Sequence, residues 1–136
     1  MALSTVVKLL DSQGTALIET AARHWDADAV RRKLKRAEWI DVSESPGFSD
    51  YVTDLDAAAA VRLHEHFRAG YLRWIALYED LAGCYRKRGE LNLAEDHEKV
   101  GEDDKAQLAA LAEIVWRASA EGLRVRILLE EWSSGY

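Results

Sequence analysis

The sequence feature that most constrains the fold is a stripe of large apolar side chains in the segment 53–88. Its members recur at steps of three or four residues: Leu63, Phe67, Tyr71, Trp74, Tyr78, Leu81 and Tyr85. This spacing places them on one face of a single α-helix. Thr53 and Asp56 have the spacing of a capping box, and Gly89 stands where a left-handed cap ends a helix. At about 1.5 Å per residue the helix is roughly 50 Å long, so we expect a second long element beside it.

A second apolar stripe follows in the C-terminal part of the chain. Alternating steps of three and four residues separate Leu108, Leu111, Val115, Ala118, Gly122, Val125, Leu129 and Trp132. Such a heptad-like pattern is typical of a long helix that packs against another. The acidic residues at 102–104 precede the stripe, where negative charge favours a helix N-terminus. The two stripes therefore predict a hairpin of long helices over about 53–88 and 104–132.

Shorter elements are expected in the first 52 residues. Apolar residues between Val6 and Trp25 keep a helical period, and Gly14 either lies within one helix or separates two. Asp26 has the position of a cap for the next helix. The segment 39–52 carries strand-like residues, which form either a β-hairpin or a plain loop.

These patterns together predict an all-α helical bundle, built on the long hairpin with shorter N-terminal helices across it. The length of 136 residues suits a single domain, 1–136. The domain divides most naturally between 1–52 and 53–136.

Composition excludes several classes of protein. Charged residues make up 31% of the chain and hydrophobic residues 49%, as in an ordinary globular domain. The single cysteine, Cys84, excludes an internal disulfide. No stretch approaches the roughly 20 apolar residues of a transmembrane helix, and the first ten residues lack the pattern of a signal peptide. We therefore expect a cytoplasmic protein that does not enter a membrane.

No motif in the sequence indicates catalysis, a metal or a cofactor. His64 and His66 would point about 200° apart on a helix, and no Glu-x-x-His motif is present. A calcium-like loop starting at Asp96 fails at its fifth position, Val100, and at its twelfth, Gln107. Nucleophile elbows and glycine-rich phosphate loops are missing as well. The sequence thus predicts a non-enzymatic protein without a metal or cofactor.

Association is the function that the long apolar stripes favour. They extend further than a compact core needs, so we expect a protein-protein interaction or self-association module that forms a homo-oligomer (dimer) or docks a protein partner. Large aromatic side chains supply contact area at low entropic cost. The predicted contact residues are Phe67, Tyr71, Trp74, Tyr78, Trp116 and Trp132. The open alternative is that these six side chains simply form the core.

The N-terminal part suggests a different function. The segment 26–30, the basic run 31–36, a strand at 39–42, a turn at 43–47 and the lead into a long helix at 51–55 resemble, in this order, winged helix-turn-helix regulators. The resemblance implies a dimeric DNA-binding transcriptional regulator with its recognition helix at 27–38. It places four side chains in the major groove or on its phosphates: Arg31, Arg32, Lys35 and Arg36. The net charge of −6 disfavours non-specific nucleic-acid binding by the molecule as a whole.

Overall fold

The structure is a computed structural model that describes residues 2–35, 37–42 and 50–132. Within these residues the chain forms an α+β fold, in which a five-stranded antiparallel sheet packs against a long helical hairpin. In chain order the elements are β1 (Ala2–Leu10), β2 (Ala16–Ala21), α1 (Ala27–Lys33), β3 (Ile40–Asp41), β4 (Asp50–Leu55), α2 (Ala57–Lys87), α3 (Leu91–Glu121) and β5 (Arg124–Trp132). The prediction of an all-α bundle is therefore wrong.

Two strands replace the helix predicted between Val6 and Trp25. Asp11 makes the reversal between them, because its Oδ1 atom accepts hydrogen bonds from the backbone N–H groups of Gln13 at 2.8 Å and Thr15 at 2.9 Å. Gly14 completes the turn with a φ of 83°. The β-branched residues of β1 favour a pleated strand, whose side chains alternate between two faces.

The C-terminal stripe is divided between a helix and a strand. α3 ends at Glu121, and Gly122 caps it with a left-handed φ of 69°. Val125, Ile127 and Leu129 then alternate onto the buried face of β5. The predicted helix over 104–132 is therefore wrong in its second half, because the pattern changes to a period of two after the glycine.

The hairpin itself is present, with different limits. α2 begins at Ala57, and its cap is Asp56, whose Oδ1 accepts from the N–H of Ala59 at 2.9 Å. Gly89 adopts the left-handed φ of 78° that the sequence predicted. α3 begins at Leu91, well before the predicted start near 104. The two helices therefore run side by side over 57–87 and 91–121.

β5 lies at the centre of the sheet, whose strand order is β2-β1-β5-β4-β3. β3 and β4 pair through Ile40 with Val52 and Asp41 with Tyr51, which confirms the β-hairpin alternative; residues 43–49 between them lie outside the described residues. Among the described helices, none has a segment long and apolar enough to cross a membrane.

The hydrophobic core includes only the half of the hairpin that packs on the sheet. α2 contributes buried core residues from Ala60 to Tyr71, and α3 contributes them from Leu111 to Ala118. They pack on the inward-facing residues of β1, β4 and β5. Between Tyr71 and Leu108 no described residue belongs to this core. We call residues 74–104, which extend beyond the core, the arm.

Small residues close the seam between the two helices of the arm. Beyond its base, the buried positions are Ala82, Ala94 and Gly101. A Cβ atom added at Gly101 would lie 3.4 Å from the Cβ of Tyr78, so the helices approach closely there. Such a thin two-helix layer buries few large side chains, and it leaves apolar residues on its outer surfaces.

Candidate functional site

The four predicted contact residues of α2 have different environments. Phe67 and Tyr71 are buried in the core, so they are not available to a partner. Trp74 is 43% exposed and Tyr78 is half-buried, and both lie in the arm. The structure thus places two of these side chains inside the protein and two at its surface.

An uncharged stripe runs along α2 in the arm. It consists of Trp74, Leu77, Leu81 and Cys84, at steps of three and four residues, and we call it the outer stripe. Trp74, Leu77 and Cys84 are exposed, and Leu81 is half-buried. The spacing is that of a coiled-coil seam. It lies beside the seam that contacts α3, so α2 has two adjacent apolar seams. Among the described residues, no helix or strand packs over the exposed seam from Leu77 to Cys84, whereas His24 is stacked on Trp74.

The other two predicted contact residues lie elsewhere. Trp116 on α3 is 69% exposed, with alanines at 109, 112 and 120 on the same side of the helix. Trp132 ends β5, where its backbone pairs with Ala2, and its side chain lies outside the described residues. The six residues therefore do not form one continuous surface.

A buried polar cluster, which the sequence patterns did not predict, lies where the arm meets the sheet. The side chain of Asp104 is completely buried. Its Oδ1 atom accepts from Nη2 of Arg23 at 2.7 Å, and its Oδ2 atom lies 2.8 Å from Nε2 of His24. Both carboxylate oxygens thus have partners from the loop between β2 and α1, which offsets the cost of burying the charge.

Gln107 and Tyr71 extend this cluster. The Oε1 atom of Gln107 accepts from the Tyr71 hydroxyl at 2.7 Å and from the backbone N–H of Arg23 at 3.0 Å. Burial raises the pKa of Tyr71 to about 12, and the negative charge of Asp104 adds a smaller increase. The backbone N–H groups of Arg23 and His24 and the positive charge of Arg23 lower this pKa in part. The phenol therefore stays neutral, and it donates its hydrogen bond throughout the physiological range.

Aromatic contacts fix the ring of His24. It is stacked on Trp74, with centroids 5.5 Å apart and an interplanar angle of 5°. The edge contact with Tyr71 has a centroid distance of 4.8 Å and an angle of 83°. Together with Asp104, these contacts hold the imidazole in one orientation.

A cavity of about 800 Å³ opens beside the cluster. We call it the junction cavity. Its lining combines cationic, polar and apolar side chains, among them Arg23, His24, Trp25, Phe67, Gly70, Arg73, Trp74 and Gln107. A concave site with a few converging polar groups is the usual form of a ligand pocket.

One feature of the sequence could have identified this site. Asp104 lies between Gly101 and Leu108 in the heptad spacing of the α3 seam, where a charged residue is unexpected. Its position beside Glu102 and Asp103 suggested instead an acidic start of the predicted helix from 104. An ionisable residue at a seam position is the pattern that could have identified the cluster.

A second concave surface is basic. It has a volume of about 920 Å³, and it lies between the end of α1, the C-terminal end of β4 and the start of α2. Four of its cations make no ion pair with any described residue: Lys33, Lys35, Arg62 and Arg124. We call this surface the basic groove. Arg126, which also lines it, is held by Asp54 through bonds of 2.8 and 3.0 Å.

The predicted DNA-contacting residues are only partly in this groove. Lys35 lines it, whereas Arg31 lies over the ring of Tyr51, 5.0 Å from its centroid. Arg32 is exposed on α1, and Arg36 lies outside the described residues. Of the three described residues, Lys35 lines the groove, Arg31 contacts Tyr51 and Arg32 is exposed on α1.

The expectation of a winged helix-turn-helix fold is wrong. The two strands β1 and β2 stand where helices would precede a recognition helix, and α1 ends at Lys33 rather than at 38. The cap at Asp26 was predicted correctly, since its Oδ2 accepts from the N–H of Ala29 at 3.0 Å. DNA binding as such stays a prediction.

Metal ligands are not grouped in the part of the chain that the structure describes: no three His, Cys, Asp or Glu side chains there could hold an ion together. Comparison with protein families, curated proteins and solved structures finds no match for this chain. The surfaces described above are therefore the basis for a functional proposal.

Proposed function

We propose that this protein has a non-enzymatic role and acts by self-association through its arm. The observation that carries the proposal is the outer stripe, an exposed coiled-coil seam on a part of the hairpin without a sheet layer. Two-helix layers bury little apolar surface, and helices with a second apolar seam gain stability when further helices cover it.

A second copy of the chain is the occupant that fits best. Two arms related by a twofold axis would present the same stripe to each other and complete a four-helix bundle. The stripe contains Trp74 and leucine but no charged side chain, as expected for the centre of an interface. Docking of a different protein on the same face is the competing outcome.

Two leucines of α2 provide a matched test. Leu77 in the outer stripe and Leu72 are both 42% exposed. Five residues separate them, so they point about 140° apart on the helix. We expect Leu77→Glu to convert a dimer into a monomer and Leu72→Glu to leave the dimer intact. Sedimentation velocity of the full chain across a range of concentrations measures the difference.

Two results would contradict self-association through this face. The first is a wild-type chain that stays monomeric at the highest concentration reached. The second is a dimer that both leucine variants dissociate equally, since that would place the interface elsewhere. Circular dichroism of each variant verifies that the helices remain folded.

DNA binding is a second candidate function, and the basic groove supports it. Four cations without ion partners in the described chain converge there although the protein as a whole is acidic. Such a concentration of positive charge suits phosphate groups, whose neutralisation makes binding dependent on salt.

A charge-reversal experiment tests this second function. The variant Arg62→Glu/Arg124→Glu should lose salt-sensitive binding of random duplex DNA. The control is Arg68→Glu/Lys99→Glu, which makes the same charge change at positions that do not line the groove. Equal binding by both variants, or none by the wild type at low salt, would exclude the groove as a DNA site.

A further inference from the structure

We propose that the junction cavity binds a small organic anion, with a carboxylate or phosphate group held by Arg23, His24 and Arg73 and an apolar part against the aromatic wall. This inference does not require self-association, although Trp74 belongs to both the outer stripe and the cavity lining. It rests on the buried Asp104 cluster and on the cavity beside it.

Arg23 is a preorganised cation at the wall of this cavity. Asp104 holds one of its terminal nitrogens at 2.7 Å, and its Cζ atom lies 5.7 Å from the centroid of the Tyr78 ring. The side chain nevertheless remains 42% exposed. A guanidinium has five N–H donors, so donors remain for a ligand. Because the side chain is already fixed, binding costs little conformational entropy.

His24 offers a second polar atom from the same loop. A carboxylate accepts hydrogen bonds, so Nε2 donates to Asp104 and Nδ1 remains. Nδ1 makes no hydrogen bond within the described residues, and it is not among their buried unpaired atoms. The ring lines the cavity and is held by Trp74 and Tyr71. When protonated, it would donate to a bound anion.

Arg73 supplies positive charge from α2. It lines the cavity and makes no ion pair with a described residue. Asp26 is the acidic residue in the lining, and its carboxylate is engaged as the cap of α1. The buried carboxylate of Asp104 behind the cavity wall forms an ion pair with Arg23. The guanidinium of Arg73 therefore has no direct ion pair within the described chain, and its donors remain for an anionic ligand.

The rest of the lining is apolar and leaves room for an organic group. Trp25 and Phe67 are buried core residues that also line the cavity. Gly70 lies one helical turn from both Phe67 and Arg73 in the same lining. A Cβ atom added at Gly70 meets nothing within 4 Å. The volume of about 800 Å³ lies in the range of small-molecule sites.

Titration of the full chain with four probes tests the proposal. Phenyl phosphate and benzoate carry the two anionic groups, benzyl alcohol lacks the charge, and inorganic phosphate lacks the ring. Trp25 and Trp74 line the cavity, so tryptophan fluorescence reports binding there, and calorimetry measures the affinity separately. We expect one or both aromatic anions to bind at least tenfold more tightly than benzyl alcohol and inorganic phosphate, and the stronger of the two identifies the anionic group.

Matched variants locate the site. Arg73→Gln should weaken binding of the aromatic anion about tenfold, because it removes a charge-assisted contact. Arg68→Gln makes the same change on the same helix, at a position outside the cavity lining, and should leave binding unchanged. Gly70→Leu should place an apolar side chain in the cavity and weaken binding while keeping the helix folded, since leucine is a better helix former than glycine.

The proposal is overturned if neither aromatic anion binds in preference to benzyl alcohol. It is also overturned if Arg73→Gln and Arg68→Gln bind equally, or if Gly70→Leu binds as the wild type does. Leu77, the residue that tests self-association, does not line the cavity. Each proposal can therefore fail while the other holds.

Discussion

The Nε2 atom of His24 lies 2.8 Å from the Oδ2 atom of Asp104, although 80 positions separate the two residues in the chain. The contact joins the loop between β2 and α1 to the middle of α3 at the base of the arm. Because Arg23 from the same loop contacts the other oxygen, the carboxylate fixes this loop against α3. The stacking of His24 on Trp74 fixes the loop against α2. The cluster therefore positions the arm relative to the sheet, as well as one wall of the junction cavity.

Replacing Asp104 with asparagine should destabilise the protein. The amide cannot accept from both Arg23 and His24 as the carboxylate does, and bonds to charged groups contribute about 1.5–3 kcal/mol each. Arg23 is partly exposed and recovers some hydration, so we expect a loss of about 2 kcal/mol in the free energy of unfolding. Urea denaturation measures it. The control is Asp103→Asn, an exposed neighbour on the same helix, which should change stability by less than about 0.5 kcal/mol.

Tyr71 should titrate late and make stability depend on alkaline pH. Its pKa is raised from 10.0 to about 12, so the folded chain keeps the proton that the unfolded chain releases near 10. This contribution to stability is complete below pH 10 and is lost as the pH rises toward 12. The phenolate absorbance of the wild type minus that of Tyr71→Phe measures the titration. A midpoint near 10 in the difference curve would contradict the burial of this hydroxyl.

The helical hairpin could be predicted because its evidence is local. The α2 stripe keeps one period over its whole length, Gly89 marks the turn, and Asp26 marks the start of α1. The first residue of α2 could not be predicted from the local sequence, because Thr53 and Asp56 are both acceptable caps. The pairing of β4 with β5 places Thr53 in a strand and leaves Asp56 as the cap. Patterns within one element were therefore sufficient to predict the hairpin but not the limits of its two helices.

The sheet could not be predicted because its decisive contacts are distant in sequence. Val6, Val7, Leu9 and Leu10 fit a helical period as well as a strand period. Pairing of Val7 with Ile127 across the β1–β5 ladder selects the strand. The same limit applies to the site, which combines the loop before α1, α2 and α3. In both the sheet and the site, the structure of a segment depends on contacts with residues that are distant in sequence, which the local pattern does not show.

Gly122 and Gly83 should respond oppositely to the same substitution. Gly122 has a left-handed φ of 69°, where alanine is strained, so Gly122→Ala should cost about 1 kcal/mol. Gly83 lies inside α2, and a Cβ atom added there meets nothing within 4 Å. Gly83→Ala should therefore stabilise the protein by up to about 1 kcal/mol. Thermal or urea unfolding measures both, and a loss at Gly83 would indicate a contact on that face of the arm.

His64 should make the protein less stable in acid. Burial lowers its pKa from 6.5, with a further decrease from the charge of Arg68, and its buried Nδ1 atom has no partner in the described chain. Between the lowered pKa and 6.5 the unfolded chain binds the proton and the folded chain does not, so the free energy of unfolding falls as the pH decreases.

Leucine at position 64 provides the test of this pH dependence. His64→Leu removes both the titration and the unpaired atom, so the variant should gain about 1 kcal/mol or more over the wild type in acid and less at alkaline pH. Urea denaturation between about pH 8 and about pH 5 measures the gain. His66→Leu, an exposed change on the same helix, is the control and should show no such gain. A gain at His64 that stays constant across this range would show that the imidazole titrates alike in the folded and unfolded chains.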